Sequence, residues 1–510
     1  MDADLVIIGS GAGGGTLARA LARSGLSILI LERGPYLPRE KVNWDAETLF
    51  RTQRYHTTEQ WRDRKGNLFH PVTGYHVGGN TKFYGAAVLR RREVDFGTRL
   101  HERGATVAWP ITYHDLKTHY DTAETWYYAH GLKGADPTEP DRGPYPYPPM
   151  DHEPYIATVA ENLERLGLHP FPLPLAINRV AQALPDSPCI RCDTCDGFPC
   201  LVHAKGDSEI SAVRPALAHD NVRLETGIRV RRLVTDAAGS HIMAVDADGP
   251  NGSRRITARM FVLSAGAVNS AALLLASANE RHPMGLGNGS DHVGRNYMCH
   301  LNTVCIGIDP RRRNPTVFQK TIGCNDFYND SGDPEFPYPL GHIQNLGKLT
   351  PAILKAQRPM IPRWLTAWAA HHSCDWWLST EDLADPENRV TLDRDGIIRI
   401  SYRANNEAAH RRLVSRWRSI LRHLGYPFIF TQRMGIEAVA HQVGTLRFGN
   451  DPKASVLDLQ CRAHEIDNLY VVDGSFMPSI AAVNPSLTIM ANALRIAPVI
   501  AARFSDGTAA

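Results

Sequence analysis

The sequence lacks both a long hydrophobic run and an excess of charge of one sign. We find no segment that approaches the roughly 18 consecutive apolar residues needed to span a bilayer. Lys and Arg total 56 against 53 Asp and Glu, which gives a formal net charge of +3 without long blocks of one sign. Nucleic acid and anionic membranes are therefore not expected as partners.

The N-terminus lacks the basic leader of a secretion signal. Asp2 and Asp4 stand where such a signal would carry Lys or Arg, and an apolar run begins at Leu5. The nine cysteines are an odd number and mostly scattered, which is typical of reduced thiols. We therefore expect a cytoplasmic protein that is a monomer or a small homo-oligomer.

The strongest local pattern is a βαβ unit at the start of the chain. Residues 4–8 form an aliphatic strand pattern, a glycine-rich turn leads into a helical stretch ending near Ser24, and residues 27–31 form a second buried strand that ends in Glu32. Further strand patterns occur at 222–232 and 257–264. A chain of 510 residues is too long for one ordinary core, so two domains or one large elaborated fold are expected.

The turn of this unit has the pattern Gly9-x-Gly11-x-x-Gly14. Its glycines permit a tight turn, close approach of the backbone to a pyrophosphate, and close contact between helix and strand. The free N–H groups and positive dipole end of the helix favour the pyrophosphate, and Glu32 is placed to bind ribose hydroxyls. The motif predicts a dinucleotide site but does not distinguish NAD from FAD.

The middle of the chain has a different pattern. Pro- and aromatic-rich stretches cover 134–155 and 333–380, and alternating strands at 389–392 and 397–402 indicate an antiparallel sheet. From about residue 436 the strand, turn and helix signals return. The cofactor domain is therefore predicted to be interrupted by a substrate domain.

Several segments in order resemble the glucose-methanol-choline (GMC) oxidoreductases, which are flavoenzymes that oxidise alcohols. They are the Gly9–Gly14 turn with Glu32, the run Val77–Ala86 (VGGNTKFYGA), Trp109-Pro110-Ile111, Asn388–Leu392, His441–Thr445, and Asp473-Gly474-Ser475 followed by Asn484–Thr488. Within the family the chain is most similar to the pyranose oxidases and the bacterial glycoside 3-oxidases, including those acting on C-glycosides. It departs from the family pattern at Ala271, where many members have proline.

The resemblance implies an α/β fold with an FAD-binding Rossmann-like domain of GMC type and a substrate domain built on an antiparallel β-sheet with flanking helices. The flavin domain is expected in 1–100, 185–310 and 436–510, and the substrate domain in 101–184 and 311–435. The implied FAD-binding residues are Gly9, Gly11, Ala12, Gly14, Glu32, Gly78, Gly79, Asn80, Thr81, Tyr84, Gly85, Ala86, Val230, Asp473, Gly474, Asn484, Pro485 and Ser486.

The resemblance also assigns the chemistry. His441 is expected to take the hydroxyl proton while hydride passes to the flavin N5, and an imidazole suits this task because its ordinary pKa is near 6.5. Asn484 is expected to orient the substrate oxygen. Alternatively, His441 is one of many structural histidines, and Asn484 is the N-cap of a helix with Pro485 in its first position.

In fungal pyranose oxidases the loop corresponding to VGGNTKFYGA holds a histidine that bonds covalently to the flavin. The aligned position here is Phe83, and Lys82 is not expected to replace the histidine. The sequence therefore predicts FAD bound without a covalent link.

A cysteine cluster and four possible sugar contacts complete the candidates. Cys189, Cys192, Cys195 and Cys200 have a spacing that suits iron–sulfur or zinc, but a structural loop with thiols or a disulfide is equally open. Substrate contacts are suggested at Gln344, Asn345, Trp376 and Trp377, since tryptophan faces stack on pyranose rings.

The predicted reaction is oxidation of a ring hydroxyl, at C3, of a glycoside or free pyranose, with oxygen or a quinone-like compound as electron acceptor. One alternative is a GMC enzyme for non-sugar alcohols. Others are a flavin protein without turnover and an NAD-binding module without redox chemistry.

Overall fold

The computed structural model describes residues 1–179 and 188–507. The predicted domain boundary between residues 184 and 185 lies outside these ranges. The helices are α1 Ala12–Leu21, α2 His114–Trp126, α3 Pro154–Arg165, α4 Arg214–Leu217, α5 Ala267–Ala276, α6 Pro351–Gln357, α7 Arg363–His372, α8 Glu407–His423 and α9 Ser486–Ser505. Short 3₁₀ turns include Gly79–Lys82 and Gly474–Phe476.

The strands are β1 Ala3–Ile8, β2 Ile28–Glu32, β3 Trp61–Arg62, β4 Leu68–Phe69, β5 Leu100–His101, β6 Gly104–Ala105, β7 Ala129–His130, β8 Pro170–Pro172, β9 Leu175–Ala176, β10 Val222–Thr226, β11 Arg229–Thr235, β12 Ile242–Gly249, β13 Gly252–Leu263, β14 Met298–Cys299, β15 Leu301–Ile308, β16 Ile322–Cys324, β17 His342–Asn345, β18 Ser373–Thr380, β19 Arg389–Leu392, β20 Ile398–Ser401, β21 Phe428–Arg433, β22 Gln442–Val443 and β23 Leu469–Val471.

A seven-stranded sheet forms the first layer of the fold. Its order is β10-β2-β1-β13-β12-β11, and β23 also pairs with β13. The β10, β2, β1, β13 and β23 pairings are parallel, and β12 and β11 extend the sheet with antiparallel pairings. Every residue of β2 is buried, as expected for a parallel strand covered on both faces. The predicted βαβ unit and Rossmann-like sheet are confirmed.

A six-stranded antiparallel sheet forms the second layer, in the order β21-β15-β18-β17-β16-β8. Helices α3 and α8 pack on one face of it through a buried apolar cluster. β15 belongs to this sheet, although Leu301–Ile308 lies within 185–310, a range that we expected to belong to the flavin domain. The expected antiparallel sheet with flanking helices is present.

The strands predicted at 389–392 and 397–402 do pair with each other, as β19 and β20. They lie in a separate four-stranded sheet with β3 and β4, outside the six-stranded sheet. A tight turn closes the hairpin, in which Asp393 Oδ1 accepts from the Ile397 N–H at 2.9 Å and Gly396 has a φ of 77°. Local alternation predicted the hairpin, but which sheet it joins depends on distant residues.

Helix α9 has the length and apolar composition to cross a membrane, which our sequence analysis did not recognise. Its most apolar stretch has a mean hydropathy of 1.3, and 56% of that stretch is buried. Leu487, Met490 and Leu494 belong to the large core, where α9 packs against α1 and α2. This burial is that of a core helix.

A buried ion triad fixes α2 to the segments on either side of it. The Glu124 carboxylate accepts from Arg90 Nε at 2.9 Å and Arg90 Nη2 at 2.7 Å, and from Arg142 Nη1 at 3.0 Å and Nη2 at 2.7 Å. All three side chains are 1% exposed. Arg90 also bonds Asp121, whose side chain is 49% exposed.

We expect Glu124→Gln to lower the free energy of unfolding by about 3–5 kcal/mol, because it leaves two guanidinium groups buried without a carboxylate. The matched control is Asp121→Asn, which removes a solvated partner of the same arginine and should cost about 0–1 kcal/mol. Denaturant unfolding followed by tryptophan fluorescence measures both. Equal effects of the two substitutions would contradict this account of the triad.

Candidate active site

The glycine-rich turn lies between β1 and α1 and leaves open space at the start of the helix. Gly9 has a φ of 102°, and a Cβ there would come 2.3 Å from the Ser264 carbonyl oxygen. A Cβ added at Gly11, by contrast, would meet nothing within 4 Å. Ser264 Oγ accepts from the Gly14 N–H at 2.7 Å, which fixes α1 to the end of β13. Ala12 is the first residue of α1.

Glu32 ends β2 and closes this turn. Its Oε2 accepts from Ser10 N at 3.0 Å and Ser10 Oγ at 2.5 Å, and its Oε1 accepts from Gly34 N at 3.0 Å. Burial raises the pKa of the carboxyl, while these hydrogen bonds oppose the rise. The Glu32 carbonyl accepts from Ile228 N at 3.0 Å, which brings the start of β11, and with it Val230, to the end of β2.

The loop VGGNTKFYGA packs directly on the glycine-rich turn. Gly78 has a φ of 93° and donates to Ser10 Oγ at 3.0 Å. A Cβ on Gly79 would lie 3.1 Å from the Gly11 Cα, and one on Gly78 would lie 2.9 Å from the Glu209 nitrogen. We expected these glycines to admit the flavin ring. In this structure their close approach is to protein backbone.

Polar side chains of the loop hold it in place through hydrogen bonds and ion pairs. Asn80 Oδ1 accepts from Gly74 N at 3.1 Å, and Thr81 Oγ1 accepts from Ser208 N at 2.9 Å. Lys82 is buried and donates to Asp207 at 3.0 Å and to Glu209 at 2.7 Å. Because its ammonium group is held by two carboxylates, Lys82 is kept charged, and burial alone does not make it a nucleophile.

Phe83, the position aligned with the covalent histidine, lies in an aromatic group. Its ring centroid is 6.3 Å from that of Tyr55 and 6.0 Å from that of His76, and it packs with the apolar cluster that contains Phe198 and Ile353. The next residue, Tyr84, donates its hydroxyl to the Gly206 carbonyl. Ala86 is fully buried with a φ of 57°.

An ion pair that the sequence analysis missed lies against Gly85. Lys320 Nζ and Asp196 Oδ2 are 2.7 Å apart, and a Cβ on Gly85 would come 2.0 Å from that ammonium nitrogen. The positive charge of Lys320 contributes to lowering the pKa of His441, and Asp196 opposes it. The pair thus lies between the loop and His441. In the sequence, only the glycine at position 85 indicates that another group packs closely against the loop there.

His441 precedes β22 and bonds a second histidine that the sequence analysis also missed. Its Nδ1 lies 2.9 Å from His300 Nδ1, and the two rings are perpendicular with centroids 4.9 Å apart. His300 Nε2 lies 2.7 Å from the Ala481 carbonyl oxygen. Burial, with the charge of Lys320, lowers the pKa of His441 to about 4, so the imidazole is neutral at physiological pH.

Asn484 is placed near this pair through the backbone. It follows Ala481 by three residues, and its buried Oδ1 has no hydrogen-bond partner within residues 1–179 and 188–507. The expected N-cap role is wrong, because α9 begins at Ser486, Pro485 occupies the cap position and no side chain caps the helix. His441 and Asn484 are not bonded to each other in the described part of the chain.

The buried Asp473 carboxylate connects two segments of the chain through hydrogen bonds. Its Oδ2 accepts from Gly266 N at 3.0 Å and Ser270 Oγ at 2.5 Å, and its Oδ1 accepts from Ser475 N at 3.0 Å and Ser475 Oγ at 2.5 Å. Burial raises the pKa of this carboxyl against those bonds. Gly474 accepts from Gly444 N at 3.2 Å, which connects Asp473 to the turn after His441.

The four suggested substrate contacts separate onto two faces of the second sheet. Gln344 pairs with Trp377, and Asn345 pairs with Trp376. The choice of Trp376 was wrong, because it is fully buried in the helix-covered core with its ring 4.7 Å from that of Trp417. Asn345 shares that covered face, since directly paired residues of neighbouring strands point the same way.

Gln344 and Trp377 lie on the opposite face. Trp377 also pairs with Val304 of β15, and His300 precedes Val304 by four residues. His342 of the same face lies 3.4 Å from Gln344 Oε1 through its Nε2. Burial is the main cause that lowers the pKa of His300, and His342 adds to it, which links this face to the histidine pair.

The four clustered cysteines line one small cavity. No group of three or more His, Cys, Asp or Glu side chains in 1–179 and 188–507 is arranged to hold a metal ion. Burial raises the pKa of the Cys195 thiol to about 12, which disfavours the thiolate that a metal requires. Lys205 holds the loop by donating to the Cys195 and Phe198 carbonyls, both at 2.6 Å. The loop carries Asp196 to Gly85.

These features fit a bound dinucleotide. Gly11 leaves open backbone at a helix start, Glu32 offers a buried carboxylate at the end of the second strand, and a Cβ on Gly266, whose φ is 89°, would meet nothing within 4 Å. The residues that would hold FAD therefore come from β1–α1, the end of β2, the loop at 77–86 and the turn at 265–266.

Comparison with known proteins agrees with this arrangement. A family model described as GMC oxidoreductase matches residues 178–302, a second with the same description matches 385–493, and an NAD(P)-binding Rossmann-like domain matches 7–38. The chain is 33% identical to 6'''-hydroxyparomomycin C oxidase of Streptomyces lividus, over 99% of this chain and 93% of that protein. It is 34% identical to paromamine 6'-oxidase of Streptomyces fradiae, over 98% and 91%.

A solved structure shares the fold. Pyridoxine 4-oxidase from "Mesorbium loti" superposes with a TM-score of 0.68 at 19% identity, covering 97% of this chain and 98% of that one. The GMC profiles together with this flavoprotein-type fold support FAD as the cofactor. The relatives with the higher identities are aminoglycoside oxidases, so the narrower resemblance to pyranose and C-glycoside 3-oxidases is not shown.

We expect acid or heat precipitation of the FAD-loaded protein to release all its yellow colour into the supernatant, because Phe83 has no nucleophile and Lys82 is held by two carboxylates. Absorbance spectra of supernatant and pellet measure this. The control is a flavoprotein with a covalent link, whose colour stays in the pellet. Flavin retained in the pellet would show that a residue of this chain bonds it.

Proposed function

The chain belongs to the GMC oxidoreductase family, and we propose that it oxidises a hydroxyl group of a sugar or glycoside to the carbonyl with His441 as base. The observation that carries this proposal is the hydrogen bonding of His441, which uses one of its two ring nitrogens within the described residues. His441 is half-buried, its Nδ1 is bonded to His300, and no hydrogen bond within the described residues uses its Nε2. A base needs such an unprotonated nitrogen within reach of a substrate hydroxyl.

When bound, FAD supplies the acceptor for the hydride that leaves the alcohol carbon. The residues of the chain manage the proton and the orientation. His441 Nε2 accepts the hydroxyl proton, and the half-buried Asn484 amide is available to hold the same oxygen, since its Oδ1 has no partner in the described part of the chain. Holding the reacting groups in one geometry supplies much of the rate of such a reaction.

For the position of oxidation we propose a secondary ring hydroxyl, at C3 of an O- or C-glycoside or of a free pyranose. The support is the run Gly78–Gly85 and the occurrence of His441 with Asn484, which resemble the glycoside 3-oxidases. The face with Gln344, His342 and Trp377 offers both hydrogen bonds and an aromatic surface, as a pyranose ring requires.

A second candidate is a primary hydroxyl at C6 of an amino sugar. It is favoured by the 33% and 34% identities to 6'''-hydroxyparomomycin C oxidase and paromamine 6'-oxidase. The relatives also include 2-methyl-1,2-propanediol dehydrogenase of Mycolicibacterium austroafricanum, at 29% identity, which keeps a non-sugar alcohol as an alternative. Oxygen or a quinone-like compound is proposed as the final electron acceptor.

We expect His441→Ala to keep its FAD but to slow anaerobic reduction of the flavin by substrate about 10²–10⁴-fold, the usual contribution of a general base. Stopped-flow absorbance measures the rate. His423→Ala is the control, because His423 is an exposed residue at the end of α8. The flavin of this variant should be reduced at the wild-type rate. Near wild-type reduction in His441→Ala would overturn the assignment of the base.

We expect anaerobic flavin reduction by the glycosides in a panel of O-glycosides, C-glycosides, free pyranoses, aminoglycosides and non-sugar alcohols, since Gln344, His342 and Trp377 share one polar and aromatic face of the second sheet. NMR of the product separates the positions: a 3-keto sugar supports the first candidate, and a 6'-aldehyde supports the second. Reduction only by non-sugar alcohols would contradict a sugar substrate, and no reduction by any compound would favour a flavin protein without turnover.

A further inference from the structure

The hydrogen bond between the two histidines limits which nitrogens carry hydrogen. Both atoms of this bond are Nδ1, at 2.9 Å, so one must donate and the other must accept. His300 Nε2 lies 2.7 Å from the Ala481 carbonyl oxygen, which can only accept. The hydrogen of a neutral His300 is therefore on Nε2, and its Nδ1 is bare.

The same reasoning then determines the tautomer of His441. Two bare nitrogens cannot form a hydrogen bond, so His441 Nδ1 carries the hydrogen and donates it to His300 Nδ1. The hydrogen of a neutral His441 is thereby placed on Nδ1, and its Nε2 retains a lone pair. In a histidine, the partner of one ring nitrogen determines the state of the other.

These tautomers hold for a neutral His300, and the surroundings of the side chain favour that state. The side chain is 2% exposed, and burial, the neighbouring His441 and the positive charge of Arg91 lower the pKa of His300 well below its usual value. His342 acts in the same direction. Around His441 the charged groups are Lys320 and Asp196, which are paired with each other.

The acceptor of His300 is itself held in place. Ala481 has a φ of 57°, in the left-handed region that residues with a Cβ seldom adopt. Its N–H donates to Glu381 Oε1 at 2.7 Å, and Glu381 Oε2 lies 3.5 Å from His101 Nε2. Such a conformation persists only where the surroundings determine it, and Ala481 is held at its N–H by Glu381 and at its carbonyl by His300.

We propose that His300 is a positioning residue that selects the Nδ1–H tautomer of His441 and so presents the bare Nε2 to the substrate hydroxyl. This inference rests on the proposed role of His441 as base. When the hydroxyl proton moves to His441 Nε2, the ring becomes an imidazolium. Its Nδ1–H still donates to His300 Nδ1, now in a charge-assisted bond, while the Nε2–H of His300 remains on the Ala481 oxygen.

The test compares His300→Leu with His300→Asn in the FAD-loaded enzyme. The two side chains have nearly the same size and shape, but only Asn can offer an oxygen to His441 Nδ1–H. We expect anaerobic flavin reduction at saturating substrate to fall about 10–100-fold in His300→Leu, as is typical when the partner of a functional histidine is lost. His300→Asn should recover most of that loss.

The substrate concentration at half-maximal reduction separates positioning of the base from a change in binding or folding. We expect it to stay within about twofold of wild type in both variants, because His300 positions the base without holding the substrate. Equal reduction rates in the Leu and Asn variants, whether both normal or both slow, would overturn the proposal. A change confined to the substrate concentration at half-maximal reduction, with a normal rate at saturation, would also overturn the proposal.

If His300→Leu does not fold or retain FAD, His300→Asn and His300→Gln give the same decision. Asn places its oxygen near the position of Nδ1, whereas the Gln amide reaches the position of Nε2, so Asn should reduce faster. Gln equal to or faster than Asn would overturn the proposal. The flavin reduction rate of His441→Ala is measured in parallel. A normal rate in His441→Ala would reject His441 as the base. A slow rate in His441→Ala together with a normal rate in His300→Leu would reject only the role of His300.

Discussion

The four hydrogen bonds received by the Asp473 carboxylate are the interaction on which the site depends. They join the turn after β13 to the segment that follows β23, although these lie more than 200 residues apart in the chain. Gly474 and Ser475 then accept backbone hydrogen bonds from Gly444 and Leu446. The turn that follows His441 is thus hydrogen-bonded to the segment after β23 of the first sheet. That segment continues to Ala481 and Asn484.

The parts of the fold that local patterns determine could be predicted from the sequence. The β1–α1–β2 unit follows from an aliphatic run, three glycines and a terminal Glu32, all within about 30 residues as in other units of this kind. The place of β15 in the second sheet and of β19 and β20 in a separate sheet could not, because sheet membership depends on pairings with strands far away in the chain.

The site divides in the same way. His441 and Asn484 were proposed through resemblance to a family. His300 and Lys320 belong to no motif that we recognised, and they meet His441 and Asp196, respectively, only in the folded chain. The cysteine spacing drew attention to metal chemistry, yet the residue of that loop that reaches the site is Asp196. Trp376 and Trp377 are adjacent in one strand, and successive residues of a strand point to opposite faces. At most one of the two can therefore face the substrate.

That alternation in β18 separates two tasks that one strand performs. Trp376 packs in the core against Trp417, while Trp377 and the paired Gln344 lie on the other face. A directed-evolution library confined to Trp377 and Gln344 would therefore vary one face of the strand while the Trp376–Trp417 contact on the other face is kept.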